Sequence, residues 1–263
     1  MTNKATEFSI ILPTYNRPLL ISNSINSVIK QEYQNWHLYV VIDDINEEYA
    51  VAKETYADES RITFIQNAEN VGKNKSLNRA LDQLKKINFL GYIVYLDDDD
   101  WLSPHCLTYF VSAIKNDPYQ NWFVSERVNS KTNLSFTTNR TGKDVISYQY
   151  DMLLRRKFTG DTTQCLNFQT ISNVRFPTTI KNAEEWVYYA EISTKQKTFK
   201  YLPVAGTYSE GYAEDGLTDV YHSQNERWKN NKAVIIEIWQ RKMFSPFIIF
   251  YLLGRLVKSL ISR

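Results

Sequence analysis

Gly91-Tyr-Ile-Val-Tyr-Leu-Asp-Asp-Asp-Asp-Trp101 is the stretch whose reading decides the fold. The run from Gly91 to Leu96 is short and apolar, as expected of a strand buried on both faces in a parallel sheet. The aspartates Asp97 to Asp100 follow at once. Carboxylates crowded into one loop repel strongly unless a cation or cationic groups neutralise some of them. In an open parallel sheet the carboxyl ends of strands face the crevice where ligands bind. Oxygen-only ligands suit a hard ion, Mg²⁺ or Mn²⁺, which shares a site with substrate phosphates. The first reading is therefore a metal–diphosphate site. The plain alternative is a solvated acidic turn in which Asp100 caps the next helix.

Strand and helix signals alternate on either side of this stretch. Upstream, Phe8 to Leu12 reads as a strand ended by Pro13, and Pro18 to Gln31 as a helix. Trp36 to Ile42 is a second strand ending in Asp43-Asp44, Glu47 to Ala57 a second helix, and Arg61 to Ile65 a third strand. Lys73 to Lys86 carries Leu77, Ala80, Leu81 and Leu84 on one helical face. Downstream come a helix from Pro104 to Lys115 and a strand from Asn121 to Val128. This rhythm predicts an α/β fold with a Rossmann-like, doubly wound, mostly parallel sheet over residues 1–128.

From residue 129 the pattern loosens. Lys131 to Asp144 is rich in Thr, Asn and Lys and reads as a loop or hairpin. Tyr148 to Lys157 reads as a helix, Gln164 to Ile171 as a strand, Ala183 to Thr194 as a helix and Phe199 to Tyr208 as a strand. Residues 129–222 are expected to form an appended region built onto the first half rather than a separate core. The polar, two-glycine stretch Ser209 to Thr218 suits a mobile lid, and His222 just beyond it could reach a phosphate. His37 and His105 read as structural.

Residues 223–263 are expected to form C-terminal helices. Between Phe247 and Ile261 the polar residues Gly254, Arg255, Lys258 and Ser259 gather on one side of a helix and leave a broad apolar face. The uncharged run from Ser245 to Gly254 falls short of the roughly 20 residues that cross a bilayer. An amphipathic, basic tail of this kind lies on an anionic membrane surface or docks on protein, on its own chain or a second copy in a homodimer.

Composition sets outer bounds. The chain has 263 residues, 43% hydrophobic and 23% charged, which suits a globular protein with a real core. A net charge of +2 gives no general case for nucleic acid as a partner. The 18 tyrosines and six tryptophans supply rings for a core or for stacking on a sugar. Cys106 and Cys165 form no disulfide framework or zinc pattern, and the N-terminus lacks the apolar stretch of a signal peptide. The expected location is cytoplasmic, with peripheral contact at the cytoplasmic membrane face.

Polar groups cluster at successive strand ends: Pro13-Thr-Tyr-Asn16, Asp43-Asp44, Asn70-Val-Gly-Lys73 and the aspartates. Here the sequence resembles the family 2 glycosyltransferases of the GT-A fold. The resemblance is carried by Ser9-Ile-Ile-Leu-Pro-Thr-Tyr-Asn-Arg17, Val41-Ile-Asp-Asp44, Asn70-Val-Gly-Lys-Asn-Lys-Ser-Leu-Asn78, Tyr95-Leu-Asp-Asp-Asp-Asp-Trp101 and, more weakly, Ala183-Glu-Glu-Trp186.

The resemblance implies a metal-dependent, inverting enzyme that moves a sugar from a nucleotide diphosphate, a UDP-sugar first of all, to a glycan or lipid-linked acceptor in cell-surface polysaccharide synthesis. It implies that Pro13 and Tyr15 flank the nucleobase, that Thr14 between them belongs to the nucleotide-sugar site, and that Asp44 or Asp43 accepts from a base N–H. Lys73 would meet the diphosphate, Asp97 and Asp98 the ribose or the metal's water shell, and Asp99 the Mn²⁺ or Mg²⁺ itself. Glu185 would be the catalytic base, with Glu184 the fallback, because the more usual Asp at the second place is Glu here. Trp186 would stack on a sugar or pack inward. Two alternatives stay open: a nucleotide-binding module without transferase activity, and a sugar nucleotidyltransferase. The second normally needs a Gly-rich basic loop after strand one, which Pro13 to Arg17 is not.

Overall fold

β1 (Phe8–Thr14) and β2 (Trp36–Ile42) pair in parallel at the centre of the N-terminal half, and their side chains alternate between two apolar cores. Ile11, Tyr39 and Val41 face one core; Phe8, Ile10, Leu12, Leu38, Val40 and Ile42 face the other. Burial on both faces explains why these strands read as continuous apolar runs. The computed structural model describes residues 5–180, 184–211 and 224–261. Ala183, the end of the stretch expected as a lid (beyond Gly211) and His222 lie outside the described residues.

α1 (Ile21–Ile29) and α2 (Tyr49–Thr55) cover one face, and α3 (Lys73–Lys86) covers the other. The expected bounds of α3 are the observed ones. Leu77, Ala80, Leu81 and Leu84 are all buried, and each leucine contributes roughly 1.5–3 kcal/mol by leaving water. β3 (Ile62–Gln66) pairs with β2, and β4 (Tyr92–Tyr95) pairs with β1 on its other side. All of these pairings are parallel.

The sheet then turns mixed. β5 (Asp100–Leu102), α4 (Cys106–Asn116), β6 (Trp122–Asn129), β7 (Thr138–Asn139) and β8 (Val145–Ser147) lead to a helical segment, Tyr148–Leu154. After it come β9 (Phe158–Thr159), β10 (Thr162–Asn167), α5 (Phe168–Ile171), α6 (Glu185–Lys195) and β11 (Thr198–Ser209). Among the described residues the main sheet has nine strands in the order β3-β2-β1-β4-β10-β6-β11-β5, with β8 on β11. β10 runs antiparallel between β4 and β6, and β5 and β8 run antiparallel to β11. Part of the expected loop of residues 131–144 forms a small ribbon, β7 with β9. The strand expected to reach Ile171 ends at Asn167, whose side chain accepts from the Gln169 amide and starts α5.

Two readings that the sequence left open divide as follows. Asp100 does not cap a helix: it opens β5, opposite Ser209, and α4 begins only at Cys106. The polar side of α8 (Pro246–Ile261) does not face solvent throughout. Ile248, Tyr251 and Leu252 pack inward together with Arg255 and the buried Ser259, while Phe250 is 61% exposed and Leu253 51%. α7 (Gln224–Gln240) lies between this helix and α6. α8 therefore docks on its own chain and still turns an apolar stripe outward. No helix among the described residues is long and apolar enough to cross a membrane.

Candidate active site

The crevice arises where β1 and β4 part. Thr14 directs its carbonyl towards β2, accepting from the Asp43 amide, and Ile11 directs its carbonyl towards β4, accepting from the Leu96 amide. By alternation Pro13 faces the β4 side, two residues beyond the last β1–β4 pair, so its missing N–H breaks no ladder bond. With β2 on one side of β1 and β4 on the other, this is the switch point of the sheet, where open α/β folds bind ligands. A cleft of about 960 Å³ opens there. Pro13, Thr14, Tyr15, Asp43, Lys73, Asp97, Asp98, Asp99 and Glu185 all line it; of the sequence candidates, Asp44 does not.

The two aspartates after β2 have different tasks. Asp44 accepts from the Asn46 amide in a tight turn. Asp43 is buried and accepts through Oδ1 from Asn67 Nδ2 (2.7 Å) and the Val71 amide (2.9 Å), and through Oδ2 from the Gly72 amide (2.7 Å). It thereby clamps the loop before α3. Gly72 sits at φ +91, a conformation that L side chains rarely adopt, and delivers Lys73 to the cleft at the first position of the helix.

Lys73 joins the two halves of the site. Its Nζ lies 2.7 Å from Asp97 Oδ1 and 2.8 Å from Glu185 Oε1. Burial alone would depress the ammonium, but Asp97 and Glu185 outweigh it and hold the pKa above the usual lysine value. Burial likewise opposes the charge on Asp97, and Lys73 more than offsets it, so that carboxyl lies below its ordinary range.

The counter-charges for the other aspartates were not singled out by the sequence reading. Arg17 Nη1 lies 3.1 Å from both Asp98 Oδ1 and Asp99 Oδ2. Arg127, on β6, reaches Asp100 Oδ1 at 2.8 Å and Asp161 at 2.9 Å. Ser24 on α1 donates to the carbonyls of Asp98 and Asp100 and pins the loop from beneath. On β6 the charged pair Glu126-Arg127 follows the apolar run from Trp122 to Val124, and that is the signal the sequence offers. Arg17 stands inside a segment already quoted for its resemblance.

Even so, negative charge remains in excess. Burial and the neighbouring Asp97 push the Asp100 carboxyl up to about 6 despite Arg127, and burial raises Asp98 despite Thr14 and Arg17. Asp97, Asp99 and Asp100 each offer an oxygen within 4.8 Å of the others. Three convergent hard donors in a cleft with more carboxylates than cations fit a divalent cation of the Mg²⁺ or Mn²⁺ type. Asp99, the ligand expected from sequence, is one of the three.

The glutamate pair divides as sharply. Glu184 is buried and receives both Arg255 Nη atoms, at 2.9 and 2.6 Å, together with Trp186 Nε1 and Asn230 Nδ2. Glu185, in the first turn of α6, is about one-third exposed and faces Lys73 in the cleft. Trp186 also lines the cleft and sets its ring edge-on to Tyr251 at 4.9 Å, which supports inward packing.

Residues 9–174 match the family described as glycosyl transferase family 2. The chain belongs to that family. Among similar proteins, a GalNAc(5)-diNAcBac-PP-undecaprenol beta-1,3-glucosyltransferase of Campylobacter jejuni is 27% identical over 65% of this chain and 54% of its own. The UDP-Glc:alpha-D-GlcNAc-diphosphoundecaprenol beta-1,3-glucosyltransferase WfgD of Escherichia coli is 36% identical over 41% of this chain and 42% of its own. The chain thus spans about half the length of these relatives. The fold is that of Staphylococcus aureus TarS, whose 1–349 fragment, solved with UDP-GlcNAc, superposes with a TM-score of 0.70 at 19% identity over 89% of this chain and 66% of the fragment. The mannosyltransferase PcManGT of Pyrobaculum calidifontis, solved with GDP-Man and Mn²⁺, gives a TM-score of 0.58 at 15% identity over 99% and 89% of the two chains.

Proposed function

We propose that this family 2 domain transfers a sugar, with inversion, from a nucleoside diphosphate donor of the UDP type to a hydroxyl of a glycan on a lipid-linked acceptor. The observation that carries the reading is the bridge by Lys73, which ties an acidic donor-side loop to a carboxylate across one cleft. Pro13 and Tyr15 flank the nucleobase in this reading. Asp43 Oδ2, with one of its lone pairs taken by Gly72, retains an acceptor position for a uracil N3–H. The UDP-GlcNAc complex of TarS and the UDP-Glc donor named for WfgD support a uridine donor.

Glu185 accepts the acceptor hydroxyl proton as that oxygen forms its bond to the anomeric carbon. The bond from that carbon to the diphosphate oxygen breaks, and the nucleoside diphosphate leaves with the electron pair. Lys73 must release Glu185 for this step, and the diphosphate is the natural new partner for its ammonium. Asp97, Asp99 and Asp100 would hold a Mn²⁺ or Mg²⁺ ion, which supplies Lewis-acid stabilisation of the leaving diphosphate. A peripheral position at the cytoplasmic membrane face belongs to the same reading, supported by the outward stripe of Phe250, Leu253 and Val257.

The test is nucleotide release from a panel of UDP- and GDP-sugars with Mn²⁺, with and without glycolipid acceptors, for wild type and Glu185→Gln. The reading expects acceptor-stimulated UDP release that the variant loses while it still binds UDP. Nucleotide binding without release from any donor would favour a binding module instead.

A further inference from the structure

Arg255, which holds Glu184 at the donor cleft, also lines a second cavity of about 800 Å³ between the Tyr148–Leu154 helix, α7 and α8. Among the described residues its charged lining is cationic: Arg156, Arg227, Arg255 and Lys258. Arg255 is neutralised by Glu184. Arg156, Arg227 and Lys258 make no ion pair with any described residue. Like charges brought together from three separate segments repel one another, so the arrangement favours an anion between them. Guanidinium forks match phosphate oxygens in particular.

The rest of the described lining mixes polar Asn230, Asn231 and Ser259 with apolar Leu153, Leu154 and Phe250. From Phe250 an exposed stripe continues along α8 through Leu253 and Val257. Cationic cavity and apolar stripe together suit an amphiphile whose head is anionic and whose tail is hydrocarbon. The cavity also adjoins the chemistry, because Tyr251 in its wall packs against Trp186 in the donor cleft, next to Glu185.

We propose that this cavity holds the diphosphate of the lipid-linked acceptor, with the lipid chain running along α8 and the glycan reaching past Trp186 to Glu185. The proposal rests on the glycosyl-transfer reading above and narrows it to an acceptor class. Three cations with no ion-pair partner among the described residues match a diphosphate better than a singly charged phosphodiester headgroup.

The experiment uses the full chain with its donor cleft saturated by UDP and Mn²⁺. The probes are phosphatidylcholine vesicles doped with farnesyl diphosphate, vesicles matched in charge with phosphatidylglycerol, and undoped vesicles. The proposal expects preferential binding to the diphosphate vesicles. Replacing Arg156, Arg227 and Lys258 together by Ala should weaken it on the order of a hundredfold, at about fivefold per basic residue on an anionic lipid surface. UDP binding by the same variant reports its fold, and Lys258→Glu alone, at an exposed position, gives a milder second test in the same direction. Equal binding to the phosphatidylglycerol vesicles, or an unaltered affinity in both variants, would overturn the proposal. Failure of wild type to bind any nucleotide would instead refute the transferase reading, while the vesicle comparison would still decide what the cavity binds.

Discussion

Replacing Glu184 by Ala separates the two members of the glutamate pair, because Glu184 is tied into a buried ion pair while Glu185, the proposed base, faces the cleft. The substitution strips Arg255 of both carboxylate bonds and leaves Trp186 Nε1 and Asn230 Nδ2 without their acceptor. Removing one partner of a buried ion pair costs about 3–5 kcal/mol. The Arg255 side chain is 25% exposed and recovers some hydration, which brings the expected loss to about 2–4 kcal/mol. For a domain of this size each kcal/mol moves the melting temperature by roughly 2–4 °C, so Glu184→Ala should melt roughly 5–15 °C below wild type. Differential scanning calorimetry on Glu184→Ala, Arg255→Ala and the double variant measures this directly. The double should cost little more than the worse single, since both remove the same pair. A melting temperature within a degree or two of wild type would refute the structural role. So would a Glu184→Gln variant of undiminished stability that has lost turnover, because that result would make Glu184 the base.

Three further outcomes are expected. Glu185→Gln should lower transfer by about 10²- to 10⁴-fold, the range for removal of a general base, with UDP affinity by calorimetry unchanged; retained turnover would contradict the assignment. Lys73→Ala should weaken UDP binding by about 10- to 100-fold, the worth of a hydrogen bond to a charged group, and an unaltered dissociation constant would remove Lys73 from the diphosphate. Asp100 sets a pH dependence of stability in chelator-treated protein. Its folded pKa of about 6 lies above its ordinary 3.8, so between about pH 4 and 6 the folded state holds a proton that the unfolded state has released. Stability therefore falls as pH rises through that window, by up to about 3 kcal/mol from this group. Asp97, with its pKa lowered, acts in the opposite sense: its contribution is lost only as pH drops below the ordinary carboxylate value. Urea midpoints at pH 4.5 and 7.5 should show a larger decline for wild type than for Asp100→Asn, and equal declines would contradict the shift.

The parallel half of the fold was legible because β1, β2 and β4 are buried on both faces and α3 on one, so each announces itself by local hydrophobic pattern. β5 was not legible. Asp100, Trp101 and Leu102 are extended only because β11 runs beside them, more than a hundred residues later in the chain. The same distance hid the role of α8: nothing local to Arg255 says that it pairs with Glu184, 71 residues away in the chain. The acidic loop, Lys73 and Glu185, singled out through the resemblance, line one cleft because each stands at or near the end of an element that the sequence pattern shows. Their counter-charges were missed because charge neutrality in a loop is met by whichever cations the tertiary fold supplies, here Arg17 and Arg127.

The central claim, that the aspartate loop and the end of β1 form a metal-assisted nucleoside diphosphate site, is tested most directly by calorimetric titration of UDP with and without Mn²⁺ into wild type and Asp99→Ala. The account predicts binding to wild type that Mn²⁺ strengthens, and loss of that strengthening in the variant. UDP affinity that is identical with and without Mn²⁺ in both proteins, or no binding at all, would contradict it.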